Sequence, residues 1–588
     1  MSIFKKDKLI EKNQASLIYK QYQNVKAYKD SMGFEKDWKK FIDFVEDRQW
    51  DHTDANKNIP KPMFNIIKLA KKSKTSAILS DTIKMIFSPV EEVDDNDIAI
   101  EAADMLNDAS IQTIEEIEQD RLDEEVVNDA FTLGSGFTHY LWDNKKVGGY
   151  KANNSRYIGT MDGETIDPMN IFPGNPQEKD INKQPYIIVT RRDMVENIKK
   201  IARDNKVSVE LINLIVGDKD TAQEQYDASK YEVLGEEKTT VYIKYWRDIE
   251  DNKIYFCKST KSVLYQPKEA LWDYNGDDME PYPIACLNWE SRKKSIFGIG
   301  EPEGMIYNQK VINFIPSMQI LNIQDTGWTK YIVKNDALQQ KMQNVPGEII
   351  NDVSGVQGDN IKAMQPAQMS NQAFQLLDNV IMNTRNFNGV SETVTGEKMG
   401  ANMAAAAIIA LQNQSKVPLD SNRKKYYRYR KDVGKIMEFF YKCKYNMPRM
   451  IKKTQEDGTK TNVEFTGSKY NEVPLNLKIT IGQGSTYSES LSTSTLQMLY
   501  DKQAITALEF AELASENVMP FKEQFIKMKT KQEQTDLQKA TEALQKNDGT
   551  IKTMQQQVLD YKNALQRFNE PAIPKEKAPI QGGNQANG

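Results

Sequence analysis

Gly298-Ile-Gly-Glu-Pro-Glu-Gly-Met-Ile-Tyr-Asn-Gln-Lys-Val-Ile-Asn-Phe-Ile-Pro-Ser-Met-Gln-Ile-Leu-Asn-Ile-Gln-Asp325 opens the stretch that decides the fold. Met305, Val311, Ile312, Ile315, Met318 and Leu321 recur densely enough to predict a helix over 302–325, about 36 Å long, with a kink at Pro316. From Ala367 to Phe387, Phe374, Leu377 and Ile381 recur at three and four, with Leu376 and Val380 as a second row. That spacing predicts a partner helix of about 32 Å, close to the first in length. Between them Lys330–Lys334, Glu348–Ile350 and Asn360–Met364 read as short strands, separated by Pro346-Gly347, Gly355 and Gly358. A helical hairpin with a β-containing tip results.

Outside this stretch, 588 residues suffice for several cores, and length alone suggests three or four domains. Hydrophobic content of 39% with 27% charged residues belongs to a soluble globular chain. The longest apolar run, Met403–Leu411, is too short to span a bilayer, and no secretory signal pattern follows Met1. Cys257, Cys286 and Cys443 are far apart and odd in number, which argues for a reducing compartment, no disulfide framework and no metal site. A net charge of −5 argues against a surface that grips nucleic acid everywhere, while leaving local patches open. Only His52 and His139 are present, and His139 sits in the strand-like run Phe137–Trp142, where a structural role is expected. No phosphate loop, G-x-S-x-G, H-E-x-x-H or C-x-x-C occurs, so neither a catalytic site nor a cofactor is expected.

In chain order, residues 1–50 read as an arm followed by a packed amphipathic helix with Trp38, Phe41, Phe44 and Val45 inside. After Pro60-Lys-Pro62 a helix is expected over Met63–Met85, with Ile66, Ile67 and Ala70 buried and Lys68, Lys71, Lys72 and Lys74 solvated. Glu91–Glu125 carries fifteen carboxylates against Arg121 alone; helical spacing of Ile98, Ala102, Met105, Leu106, Ile114, Ile117 and Leu122 makes these a solvated helical face. Asp94-Asp-Asn-Asp97 is not an EF-hand loop, because Ala99 stands where glycine is needed. From Val126 to Trp289 strand-like runs interspersed with short helices define an α+β domain. Met403–Lys416 reads as helix, and Asp420 or Ser421 as the cap of Ser421–Met447. There Tyr426, Tyr429, Val433, Ile436 and Phe440 form a buried seam, and Lys424, Arg428, Lys431 and Lys435 form a separate basic stripe that could meet DNA. Strands at Asn462–Phe465 and Leu475–Ile481 are followed by helices. Leu537, Ala540, Leu544, Ile551, Met554, Val558, Tyr561, Leu565 and Phe568 keep one heptad frame, with Asp548-Gly549 a weak point. Beyond Glu570 the composition implies a disordered tail.

This order of elements resembles the portal proteins of tailed bacteriophages. The resemblance is carried by Pro60-Lys-Pro62, the helix end Asp129…Gly134-Ser-Gly136, Thr165-Ile-Asp-Pro-Met-Asn-Ile171, Phe297-Gly-Ile-Gly-Glu-Pro-Glu-Gly-Met305 with Gln309 and Asn313, the hairpin, and Thr395-Gly396…Ala404. Asn402-Met403 stands where that family usually has Ser-Gly. The resemblance implies an N-terminal wing over 1–300, stem helices at 301–326 and 367–389, and a clip at 327–366. It further implies a tunnel loop at 390–403, wing helices and strands at 404–489 and a helical crown at 490–570.

It also implies a homo-oligomeric ring, typically of twelve subunits, in the virion at one capsid vertex, made in the bacterial host cytoplasm. Double-stranded DNA would pass through it without sequence specificity during packaging and ejection. The partners implied are the terminase large subunit, head-completion proteins, and the major capsid and scaffold proteins, with no membrane. Channel residues would be Glu392, Thr395, Gly396, Glu397, Lys398, Met399, Asn402 and Arg385, and docking residues of the clip Lys330, Tyr331, Lys334, Glu348 and Lys362. Independently, residues 301–403 hold seven Lys/Arg, ten Asp/Glu and twenty-four Asn/Gln, which suits weak sliding contact with DNA rather than tight phosphate binding. The competing reading is a Mg-dependent nucleic-acid enzyme or clamp subunit, with 91–125 holding the metal and the basic stripe holding DNA.

Overall fold

The computed structural model describes residues 2–51, 59–81, 83–90, 96–151, 155–218, 237–276, 278–327, 330–333, 361–364, 370, 372–389, 419–454, 460–481, 486–514, 519 and 521–568. Contacts divide the chain into two compact units, Met1–Gly484 and Ser485–Gly588, where length alone had suggested three or four domains.

The first unit mixes helices and antiparallel sheets. Helices α1 (Ser2–Ser31), α2 (Phe34–Val45) and α3 (Ile66–Leu79) lead into β1 (Ile83–Pro89), α4 (Asn96–Glu116) and α5 (Gln119–Leu133). Next come β2 (Ser135–Tyr150), β3 (Arg156–Ile166), β4 (Ile171–Pro173), β5 (Tyr186–Met194), α6 (Val195–Asp204) and α7 (Val209–Ile212). β6 (Lys238–Arg247), β7 (Ile254–Ser259), β8 (Leu264–Ala270) and β9 (Ile284–Asn288) complete the expected strand-rich segment. One sheet runs β4-β5-β6-β7-β8 and another β3-β2-β9. His139 ties them: one ring nitrogen lies 2.9 Å from Glu164 of β3 and the other 2.8 Å from the Tyr245 hydroxyl of β6. Its role is structural, as its strand setting suggested.

The hairpin follows as α8 (Glu301–Gly327), β10 (Lys330–Val333), β11 (Ile361–Met364) and α9 (Gln372–Phe387). After it come α10 (Asp420–Lys444), β12 (Arg449–Thr454), β13 (Lys460–Phe465) and β14 (Leu475–Ile481). Strand β1 pairs antiparallel with β14, from Ile83 opposite Ile481 to Pro89 opposite Leu475. This corrects the helix expected through Met85. The helix stops at Leu79 and the following run buries Met85 and Phe87 at a spacing of two, a strand period whose partner lies far along the chain. The seam of α10 is buried at every expected position, yet its cap is Leu419 with no side-chain bond, so neither Asp420 nor Ser421 caps it.

The solvated lysine face expected on α3 also needs correction: Lys74 is buried and paired with Glu301 of α8. α1 lays Ala15, Ile18, Tyr22 and Val25 on Phe172, Ile188, Tyr242, Cys257 and Leu264 of the five-stranded sheet. At its end Lys29 is buried, donating to the carbonyls of Pro168 at 2.7 Å and Met169 at 3.1 Å, with its ammonium 4.0 Å from the Phe172 ring centre.

The second unit holds α11 (Thr486–Asp501), α12 (Ala507–Leu513) and α13 (Lys522–Phe568). A capping box between Thr506 and Glu509 starts α12. α13 runs 47 residues unbroken through Gly549, the position read as a weak point.

Candidate functional site: the hairpin and its root

Hairpin geometry begins where three chain segments touch backbone to backbone. Gly134, at φ +91°, ends α5, and a Cβ there would sit 2.6 Å from the carbonyl carbon and oxygen of Gly298. A Cβ on Gly298 would in turn lie 2.2 Å from the Gly134 oxygen, and one on Gly300 2.6 Å from the Thr132 oxygen. Only glycine allows this approach. Hydrogen bonds fix it: Trp289 N–H donates to the Gly134 carbonyl at 2.9 Å, Gly298 N–H to Ser135 Oγ at 2.8 Å, and Ser135 Oγ–H to Asn288 Oδ1 at 2.6 Å. Glu301, the first residue of α8, accepts from Trp289 Nε1 at 2.6 Å and from Lys74.

Further along, α8 turns its amides onto the Pro60–Ile66 entry of α3. Gln309 accepts from Ile66 N–H at 3.0 Å and donates to the Phe64 carbonyl at 2.8 Å and to Asn313 Oδ1 at 3.0 Å. Asn313 Nδ2 donates to Gln49 Oε1 at 2.6 Å, and Ser317 Oγ to the Pro60 carbonyl at 2.6 Å. Satisfied buried amides of this kind fix a helix in one position, since each group left unpaired would carry a full desolvation cost. Pro60-Lys-Pro62, Gly134-Ser-Gly136, Gly298–Gly300, Gln309 and Asn313 are far apart in sequence, yet the structure brings them together at the root of one helix.

Beyond the root, the 27 residues of α8 span about 40 Å and the 16 described residues of α9 about 24 Å. The matched lengths expected from periodicity are therefore not seen: the described helix starts at Gln372 rather than Ala367. Pro316 lies inside α8 without ending it. β10 and β11 pair antiparallel from Lys330 opposite Met364 to Val333 opposite Ile361, which sets Tyr331 against Ala363 and Ile332 against Lys362. Lys334 and Glu348 lie outside the described residues, as do Glu392, Thr395, Gly396, Glu397, Lys398, Met399, Asn402 and the helix expected over Met403–Lys416. Arg385 is half-buried in the last turn of α9.

Behind the hairpin, α10 is locked to α5. Arg430 Nη1 donates to Asp123 Oδ2 at 2.7 Å, Tyr426 hydroxyl donates to the same oxygen at 2.8 Å, and Gln119 Nε2 donates to Oδ1 at 2.7 Å. Burial pushes the Asp123 carboxyl up, with Arg430, Gln119 and Tyr426 pulling it back. Thr138 and the Tyr429 hydroxyl, 2.6 Å apart, continue the network into β2. Sequence periodicity marked Tyr426 and Tyr429 as core but gave no sign that Asp123 faces inward, because it lies in the acidic run. Lys424, Arg428, Lys431 and Lys435 are all exposed, on the side of α10 opposite the seam.

Among the described residues no group of three or more His, Cys, Asp or Glu could hold a metal ion, and no helix is long and apolar enough to cross a membrane. The carboxylates of α4 and α5 thus do not converge among these residues, and the buried polar groups of the root hold structure. A mixed α/β body thus roots the first helix of the hairpin through glycine-only contacts. Residues 27–569 match the model of the Phage P22-like portal protein family, and the chain belongs to that family. Among curated proteins none matches it.

Proposed function

We propose that the chain forms a homo-oligomeric ring at one capsid vertex of the virion, through which genomic double-stranded DNA is packaged and later ejected. The observation that carries this reading is the family match over residues 27–569, which includes the whole hairpin. In this reading α8 and α9 are the stem, the β10–β11 pair marks the clip, and residues 390–403 form the tunnel loop. Residues 1–300 and 404–489 form the wing, and 490–570 the crown. The protein has no reaction to catalyse. It works as a conduit and as the dock for the terminase motor and the head-completion proteins.

Low cation density supports a conduit. Lys310 is the one Lys or Arg in α8 and Arg385 the one in α9. Each phosphate-neutralising cation releases counterions and tightens binding, and a ring multiplies such contacts, so a cation-poor stem lets DNA slide. In this reading Lys398 and Arg385 are the cations that would touch phosphate, and Lys330, Tyr331, Lys334, Glu348 and Lys362 the residues that would meet partners at the clip.

Deleting Thr395–Ala401 tests the assignment. Rings should assemble at the wild-type mass while DNA packaging or retention falls, read as the DNA content of particles. Loss of ring assembly, or full packaging, would refute the tunnel-loop assignment.

A further inference from the structure

Eight cations of α10 fall into two sets. Those turned inward have partners: Arg423 pairs with Asp81 at 3.3 Å, Lys425 donates to the Trp289 carbonyl, Arg430 pairs with Asp123, and Lys442 donates to Glu438 at 2.6 Å and to the Val473 carbonyl at 2.8 Å. Lys424, Arg428, Lys431 and Lys435, spaced four, three and four, form one exposed row. Among the described residues no hydrogen bond or ion pair engages their side chains. Two carboxylates accompany the row: exposed Asp420 in the first turn and half-buried Asp432 beside Lys431 and Lys435. The row therefore keeps an excess of positive charge.

The carboxylates of α4 and α5 also include bonded and unbonded members. Asp123 is held by Arg430, Glu125 accepts from Thr165 at 2.6 Å and from Arg121 at 2.7 Å, Glu118 accepts from Arg121, and Glu101 accepts from Lys469 and Tyr470 at 2.9 Å each. Asp97, Asp104, Glu115, Asp120 and Glu124 are exposed, and among the described residues no ion pair engages them. The exposed acids thus lie on α4 and α5 and the exposed bases on α10, different elements of one unit.

We propose that neighbouring copies of this chain meet with the Lys424–Lys435 row of one against the outer acidic side of α4 and α5 of the next. Two different, mutually complementary patches on one chain make a head-to-tail contact, the kind that closes into a ring when the rotation closes. Complementary charge also fixes orientation and rejects like-facing-like encounters. Duplex DNA on the same row would use the bases alone and be repelled by the acidic side, whereas a second copy uses both. The inference rests on the ring reading above and names the surfaces that would build it.

Its test is assembly of the full-length chain, followed by sedimentation velocity as protein concentration is varied, with circular dichroism to verify folding. K424E/R428E/K431E/K435E and D104K/E115K/D120K/E124K should each raise the concentration needed for assembly by about tenfold or more, since several exposed pairs are replaced by like charges. The two variants mixed one to one should assemble alternately where neither does alone, and wild-type assembly should weaken as salt rises from about 0.05 M to about 0.5 M. Unchanged assembly of both variants would overturn the inference and leave the ring reading standing. So would unchanged assembly combined with lost retention of a duplex DNA probe by the Lys424–Lys435 variant, which would assign the row to nucleic acid. A wild-type chain that stays monomeric at every concentration would overturn the ring reading itself.

Discussion

Helix α10 and helix α13 are both long and both carry an apolar row at spacings of three and four, but they complete their packing in different ways. In α10 the row Tyr426, Tyr429, Val433, Ile436 and Phe440 is buried inside one chain, together with the ion pair of Arg430 and Asp123. In α13 Leu544, Ile551, Met554, Val558, Tyr561 and Leu565 are all more than half exposed. A heptad row left open in a single chain is a seam that further helices cover. The first helix therefore stabilises the fold of its own unit, and the second keeps an uncovered apolar row within the Ser485–Gly588 unit. In α10 charge follows the same division, since Arg423, Lys425, Arg430 and Lys442 are bonded within the chain while Lys424, Arg428, Lys431 and Lys435 are exposed.

The sharpest way to break this comparison is to remove an internal partner. Arg430→Met should leave Asp123 buried with Tyr426 and Gln119 alone and lower the stability of the Met1–Gly484 unit by about 3–5 kcal/mol, read by denaturant titration. A loss below about 1 kcal/mol would mean that the pair is not the lock described.

Next in size is Lys29, the buried cation at the end of α1. Burial lowers its pKa from 10.5 to about 7, with Asp167, Glu35 and Asp30 opposing. Between those two values the unfolded chain holds a proton on Lys29 that the folded one has released, so the contribution of Lys29 to stability rises with pH across that window. Protection of α1 against hydrogen exchange should increase from about pH 7 to about pH 10 relative to Lys29→Met, in which this dependence is absent. Parallel profiles for the two proteins would refute the assignment.

Smaller effects are expected in α13. Gly549→Ala has nothing within 4 Å to disturb and should stabilise the helix by about 0.5–1 kcal/mol, measured by the thermal melt of the helical signal. Val558→Asp with Leu565→Asp should shift the stability of the first unit by less than about 0.5 kcal/mol while abolishing association between C-terminal helices. Collapse of the whole assembly would instead show that α13 carries the ring.

Much of this was legible in the sequence. Local periodicity found α8, the seam of α10, most strands of the two larger sheets and the helical C-terminal segment. It failed where a partner lies far along the chain. β1 looked like the continuation of α3 because its pairing strand begins at Leu475. Lys74 looked solvated because Glu301 becomes its neighbour only after folding. Asp123 was hidden among fourteen other carboxylates of the 91–125 run, since composition does not tell which one faces inward. The motifs at Pro60, Gly134, Gly298, Gln309 and Asn313 were visible as a resemblance, and their meeting at the hairpin root gives the physical reason: close backbone approach and fully bonded amides.

Electron microscopy of the purified full-length chain, viewed down the particle axis, bears on the central claim most directly. A closed, rotationally symmetric ring around an open channel, with the two-helix stem in the channel wall, is the predicted result. Discrete monomers, or open chains of subunits with no channel, would contradict it.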